Sequence, residues 1–237
     1  MHFFIDQAHL LNYLTLSCGG FMTKQNIFRF SLVLFFVLIF SSPVYAGGIG
    51  MYFQDGQVTD GDWDGDYDFD IDSDHRDFGF VVDSNLATNK MFNYRLELGR
   101  TLFDIDDYNN QPGVDAELEG LVMNHNFGFG GIIAPNLRLW FGPQIRMELL
   151  DGDLDGNTLS ARDFDMYGFG VGAAAGINYN FPGRLTMSAK GGYVMMGYHG
   201  RGPNWNILSS SWESSHFDVD ADLAYVNFSF FFRTRSQ

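Results

Sequence analysis

From Gly47 to the end of the chain, apolar and polar residues alternate with a period of two, and no long stretch repeats with the helical period. Three short turn signals separate alternating runs: Ala87-Thr88-Asn89-Lys90, Ala134-Pro135-Asn136 and Phe181-Pro182-Gly183-Arg184. Four longer connections are predicted at about 59–65, 105–113, 152–161 and 199–215, the first three acidic. Short and long connections therefore alternate. The pattern predicts eight strands near 48–58, 66–86, 91–104, 114–133, 137–151, 163–180, 185–198 and 216–233.

An even number of antiparallel strands, with short turns at one end and long loops at the other, is the pattern of a membrane-spanning barrel. The predicted fold class is all-β: an eight-stranded antiparallel up-and-down transmembrane β-barrel over 47–237, both termini on the periplasmic side. Leu137, Leu139, Phe141, Ile145, Met147 and Leu149 share one face of their strand and are assigned to lipid. Phe92, Tyr94, Leu96 and Leu98 do the same in theirs, whereas His125 is a misfit that points at lipid. The opposite faces carry Arg95, Glu97, Arg138, Arg146 and Glu148, and Lys190 also points inward. Buried charges need partners, so these six read as a structural lumen network rather than a conducting pore.

The strands that descend from the long loops switch parity. Apolar residues are odd at Tyr67, Phe69 and Ile71 but even at Phe78, Phe80 and Val82. A bulge in each strand would do this. One assumption covers all four cases instead: each strand runs straight on beyond the membrane, so the face that meets lipid below meets water above. The expected outward set above the membrane is then acidic, including Asp104, Glu117, Glu119, Asp151, Asp165, Asp218, Asp220 and Asp222. Turned inward at that level are Tyr67, Phe69, Ile71, Leu118, Phe164, Met166, Phe217 and Leu223, which form either a packed plug or a pocket for a small apolar molecule.

Ahead of the alternating region, Lys24 and Arg29 precede the apolar run Phe30–Phe40, and Ser41-Ser42-Pro43 leads into Val44-Tyr45-Ala46. This reads as a signal peptide over 22–46 cleaved after Ala46, with 1–21 an over-extended start or upstream leader. The run is shorter than the roughly 20 residues of a spanning helix. The 237-residue chain carries a net charge of -15, which excludes nucleic acid as a partner. Its 46% hydrophobic content excludes a disordered chain. Cys18 is the single cysteine, so no intramolecular disulfide forms.

Two stretches match the start of a calcium loop, at Asp60, Asp62 and Asp64 and at Asp151, Asp153 and Asp155, each followed by glycine. Ile71 and Arg162 stand where the twelfth-position glutamate belongs. Two readings stay open: a solvated acidic rim with no cofactor, or sites for Ca²⁺ or Mg²⁺ that also bridge to lipopolysaccharide phosphates. Ser214, Ser215 and His216 sit together, but their order is not His-x-Ser and no carboxylate partner is singled out, so the chain does not read as an enzyme. His75 and His199 read as ordinary loop residues.

In the last strand, Val226, Phe228, Phe230 and Phe232 alternate with Asn227, Ser229 and Phe231, which resembles the C-terminal signal of outer-membrane proteins, though Arg233–Gln237 trails it. The whole of 47–237 is similar to the small barrels of the OmpA transmembrane domain, OmpX/Ail and OmpW type. That resemblance rests on architecture, not on a short motif. It implies a bacterial outer-membrane location and a monomer among lipid and lipopolysaccharide. It also implies a structural or surface-interaction role with an extracellular protein partner, or, after OmpW, binding or admission of a small hydrophobic molecule. A lipid A-modifying enzyme is the weakest of the implied roles.

Overall fold

The computed structural model describes residues 47–64, 69–70, 73–105, 115–155, 163–206 and 211–234. The signal peptide expected at 22–46, and the segment 1–21, lie outside the described residues. Eight strands form: β1 (Gly48–Asp64), β2 in two pieces (Phe69–Asp70 and Ser73–Asp83), β3 (Phe92–Ile105), β4 (Asp115–Ala134), β5 (Leu137–Asp155), β6 (Asp163–Asn180), β7 (Leu185–Asn206) and β8 (Ser211–Arg233). Each strand pairs antiparallel with the next, and β1 pairs with β8 to close the ring. Closure is what lipid demands, because an open edge would leave backbone N–H and C=O groups without partners in hydrocarbon. Among the described residues there is no helix.

The turns are built as their residues suggest. Asn136 takes the left-handed conformation at φ 66° between β4 and β5, and Gly183 does so at φ 89° between β6 and β7. The turn after β2 folds back under the barrel. Leu86 is fully buried there with Tyr52, Val81 and Phe231. Its carbonyl accepts hydrogen bonds from Asn178 and Asn180 at 3.4 and 3.3 Å.

Three of the four long connections are shorter than the sequence suggested, the one expected at 105–113 being the exception. β1 continues to Asp64 through the region expected to be a loop, β5 reaches Asp155, β7 runs to Asn206 and β8 resumes at Ser211. Glycine and aspartate imitate a turn there, but pairing with an already formed neighbour extends the ladder, as in Asp60↔Asp222, Asp62↔Asp220 and Asp64↔Asp218.

Following one row of paired residues around the ring gives its stagger. The row passes Phe53, Phe78, Arg100, Leu121, Leu149, Tyr167, His199 and Asp218. It returns to β1 at Asp64, eleven residues beyond its start, one of them supplied by a bulge between Val58 and Asp60. A stagger of about ten over eight strands tilts the strands by about 40°.

Burial follows parity along most of the described strand positions. In β8 every odd position from Phe217 to Arg233 faces inward, through the level where the apolar residues change parity. β4 and β6 likewise keep register there, so straight strands meeting two solvents account for the switch in these strands. The exception is β1, where the bulge after Val58 moves the inward positions from even to odd and leaves Asp60 outside.

Gly176 lets Trp140 lie flat across the lumen: a Cβ there would stand 2.7 Å from the indole ring. Gly176→Val should destabilise the refolded barrel by about 1–3 kcal/mol through overpacking. Gly191→Ala, where the nearest atom to an added Cβ is 3.6 Å away, should leave urea-unfolding midpoints unchanged.

Candidate functional site

The lumen is bridged by side chains from strands that are not neighbours. Lys190 of β7 donates to Glu97 of β3 at 2.6 Å, straight across the ring. Arg95 of β3 donates to Asp83 of β2 at 2.8 Å and reaches Asn178 of β6 and Ser188 of β7 at 3.0 and 3.1 Å. Its guanidinium lies 4.8 Å from the Trp140 ring centroid and 5.0 Å from that of Phe231, so its charge is also met by two π faces. Arg146 of β5 holds Asp77 of β2 by bonds of 2.8 and 3.1 Å and also pairs with Glu148. Gln54 donates to Asp77 at 2.6 Å.

All six lumen charges expected from the sequence are buried and inward. Five join direct ion pairs, while Arg138 instead donates to Asn93 and to the Lys90 carbonyl at 3.1 and 3.0 Å, tying the periplasmic turn to the wall. The sequence reading missed Asp77, Asp83 and His75. Asp77 and Asp83 share the inward parity of β2, and the signal for them was arithmetic. Arg95, Arg138, Arg146 and Lys190 face only Glu97 and Glu148 in the expected set, and these two further carboxylates balance the four cations.

His75, read as a loop residue, is buried in the lumen instead. Its ring nitrogens stand 3.4 Å from Asp77 and 3.4 Å from Glu148, and Phe103 packs edge-on at 5.0 Å. His199 is on β7, outward, 2.6 Å from Asp218. Tyr198, one residue past the lipid-facing run of β7, donates to Glu148 at 2.9 Å.

Above this network the interior becomes apolar. Val58, Phe103, Ile105, Leu118, Leu150, Met166, Val194, Met196, Phe217, Val219 and Leu223 form one buried cluster. Of the expected inward set, Leu118, Met166, Phe217 and Leu223 belong to it. Tyr67 and Ile71 lie outside the described residues. Phe69 and Phe164 are placed by register only, opposite Trp63 and Gly152.

Outside, the same height is acidic. Asp60, Glu117, Glu119, Asp151, Asp165, Asp218 and Asp220 are exposed. The register sets carboxylates directly opposite one another: Asp60 and Asp222, Asp104 and Glu117, Glu119 and Asp151, Asp151 and Asp165. Relief comes from Arg76, 2.8 Å from Asp104, and from Arg100, which pairs with Glu119. Of the two calcium-loop matches, Gly65 and Gly156 and most of the positions after them lie outside the described residues. Asp60, Asp62 and Asp64 lie in β1, and Asp151, Asp153 and Asp155 in β5. Among the described residues, no three His, Cys, Asp or Glu side chains gather as metal ligands. Ser214 and Ser215 are placed by register, opposite Pro203 and Gly202 in the β7–β8 ladder.

Below the collar the outer face is a continuous lipid-facing belt. Met51, Phe53, Phe80, Phe141, Phe169, Met195, Phe228 and Phe230 are among its exposed apolar side chains. A closed ring with this belt outside and a polar lumen is a transmembrane β-barrel of the bacterial outer-membrane class. Comparison with solved structures agrees. The chain is similar to the outer membrane protein OprG from Pseudomonas aeruginosa, with a TM-score of 0.53 at 13% identity, over 80% of this chain and 98% of that one. Weaker likenesses are to the outer membrane protein AlkL (TM-score 0.42, 13% identity, 81% and 93% covered) and to a major outer membrane protein from Thermus thermophilus (0.41, 11%, 76% and 98%). At these identities the likeness is one of fold. No family model and no curated protein matches the sequence.

Arg146→Met leaves Asp77 and Glu148 buried without their cation and should cost about 3–5 kcal/mol. Lys190→Met alone should cost a similar amount, whereas Glu97→Leu combined with Lys190→Met should unfold near the wild-type midpoint. Urea unfolding in lipid vesicles reads all three.

Proposed function

We propose that this barrel is a non-catalytic outer-membrane protein that acts through its outer and extracellular surface rather than by passing solutes along its axis. The observation that carries the reading is the set of bonds spanning the lumen. Lys190–Glu97, Arg146–Asp77 and Tyr198–Glu148 join strands two to four places apart in the ring, and every one of these side chains is buried. An aqueous path would have to break several charge-assisted bonds and hydrate the ions separately. The part offered to the outside is a ring of strands, apolar within and acidic without. Its role is structural or adhesive, towards lipopolysaccharide or an extracellular protein.

The carboxylates that face each other across the ladder repel, so the collar favours counter-ions, and divalent Ca²⁺ or Mg²⁺ spread over several carboxylates would link it to neighbouring lipopolysaccharide phosphates. A second reading draws on the apolar cluster above the network: a small hydrophobic molecule would find a matching lining there if the plug loosens.

Planar-bilayer recordings of the purified barrel should show no steady conductance, and a persistent open channel would overturn the surface reading. Titrating Ca²⁺ into the chelator-stripped protein should raise its unfolding midpoint. Asn substituted at Asp218, Asp220 and Asp222 should reduce that gain, and an equal gain in both proteins would remove the collar from the account.

A further inference from the structure

His125 stands in the lipid-facing belt of β4. Below it on the same face come Phe127 and Phe129, above it Met123 and Leu121, and the first carboxylate is Glu119. At about 3.3 Å per residue and a tilt of about 40°, His125 lies roughly 15 Å beneath that carboxylate. Headgroups and water do not reach this depth, and an ionisable side chain placed there without a partner is costly. Half of the answer is Tyr94 of β3, whose Oη is 2.6 Å from His125 Nδ1, with the two rings 6.0 Å apart. Both side chains are only half-buried.

That one bond does not exhaust the pair. Neutral imidazole has one donor and one acceptor, and the phenol likewise donates and accepts. Whichever tautomer His125 adopts, the internal bond consumes one donor and one acceptor. One donor and one acceptor are left over, and neither has another hydrogen bond among the described residues. In hydrocarbon such groups seek partners. The leftover set is self-complementary: the donor of one copy fits the acceptor of an identical copy, and the reverse. A two-fold axis along the membrane normal brings equal depths together. Because Oη and the imidazole are in contact, both leftover groups already lie at nearly the same depth. The flanking surface of Leu98, Met123, Phe127 and Phe129 is apolar and suits a protein neighbour as well as lipid.

We infer that the β3–β4 face is an interface between two copies of this chain within the membrane, closed by reciprocal hydrogen bonds between His125 of one copy and Tyr94 of the other. This departs from the monomer expected from the sequence, and it is independent of whether the lumen conducts.

The test is disulfide cross-linking in native outer membranes. Met123→Cys places a thiol beside the pair without removing it, and Phe228→Cys places one on the far side of the barrel, where exposure is 54%. Oxidation should give a dimer from Met123→Cys and none above background from Phe228→Cys. Adding His125→Leu or Tyr94→Phe to Met123→Cys should lower the dimer yield at least fivefold, with the unheated, compact gel mobility of the folded barrel as proof of folding. No dimer from Met123→Cys, a yield equal to that of Phe228→Cys, or a yield that neither second substitution changes in folded protein would overturn the interface.

Discussion

A strand that keeps its two-residue alternation while passing from lipid into water presents one side to two solvents in turn. Everything else in this barrel accommodates that constraint. Below the boundary the outward side must be apolar, and the inward side is free to carry charge. Above it the outward side must be polar, so the inward side becomes the place for a hydrophobic core. In β8 the change falls between Ala224 and Val226 on the outside, while inward Leu223 gives way to Asn227 and Ser229 on the inside. The lower part is a membrane barrel and the upper part a water-soluble one, and β4, β6 and β8 pass from one to the other in unbroken register.

The two halves are held by different physics. In the upper half, removing apolar surface from water stabilises the packed interior. In the lower half the outside offers no such gain, since lipid tails are as apolar as the side chains that touch them. Stability there falls to the ladder hydrogen bonds, and the choice of one arrangement to the buried ions. His75 sits where the regimes meet, against Asp77 and Glu148 on one side and Phe103 on the other.

Much of this was legible in the sequence because a period of two writes inside and outside directly into residue order. Leu139 and Phe141 against Arg138 and Trp140 is a complete statement of facing. Strand ends were less legible. Residues 59–64 combine glycine with aspartate, which favours turns locally, and only the presence of Asp218–Asp222 on the closing neighbour makes them a strand. That pairing joins residues at opposite ends of the chain and leaves no local mark. The lumen partners were hidden for the same reason. Glu97 and Lys190 announce themselves as inward, but nothing in their sequence separation says that they meet. His125 was legible as an anomaly, and its partner Tyr94 became visible only once register placed β3 beside β4.

Alternation protects a strand against slipping by one residue, since that turns every side chain inside out. It gives no protection against slipping by two. At the seam between β1 and β8 such a slip would keep every facing intact and change the stagger of the ring, and with it the tilt of the strands and the width of the lumen. The bonds that cross the lumen tell these alternatives apart. Lys190 and Glu97, set on opposite walls and 2.6 Å apart at their tips, meet at one circumference and miss at the next. They work as callipers: the buried charges measure the barrel as it closes and accept a single diameter.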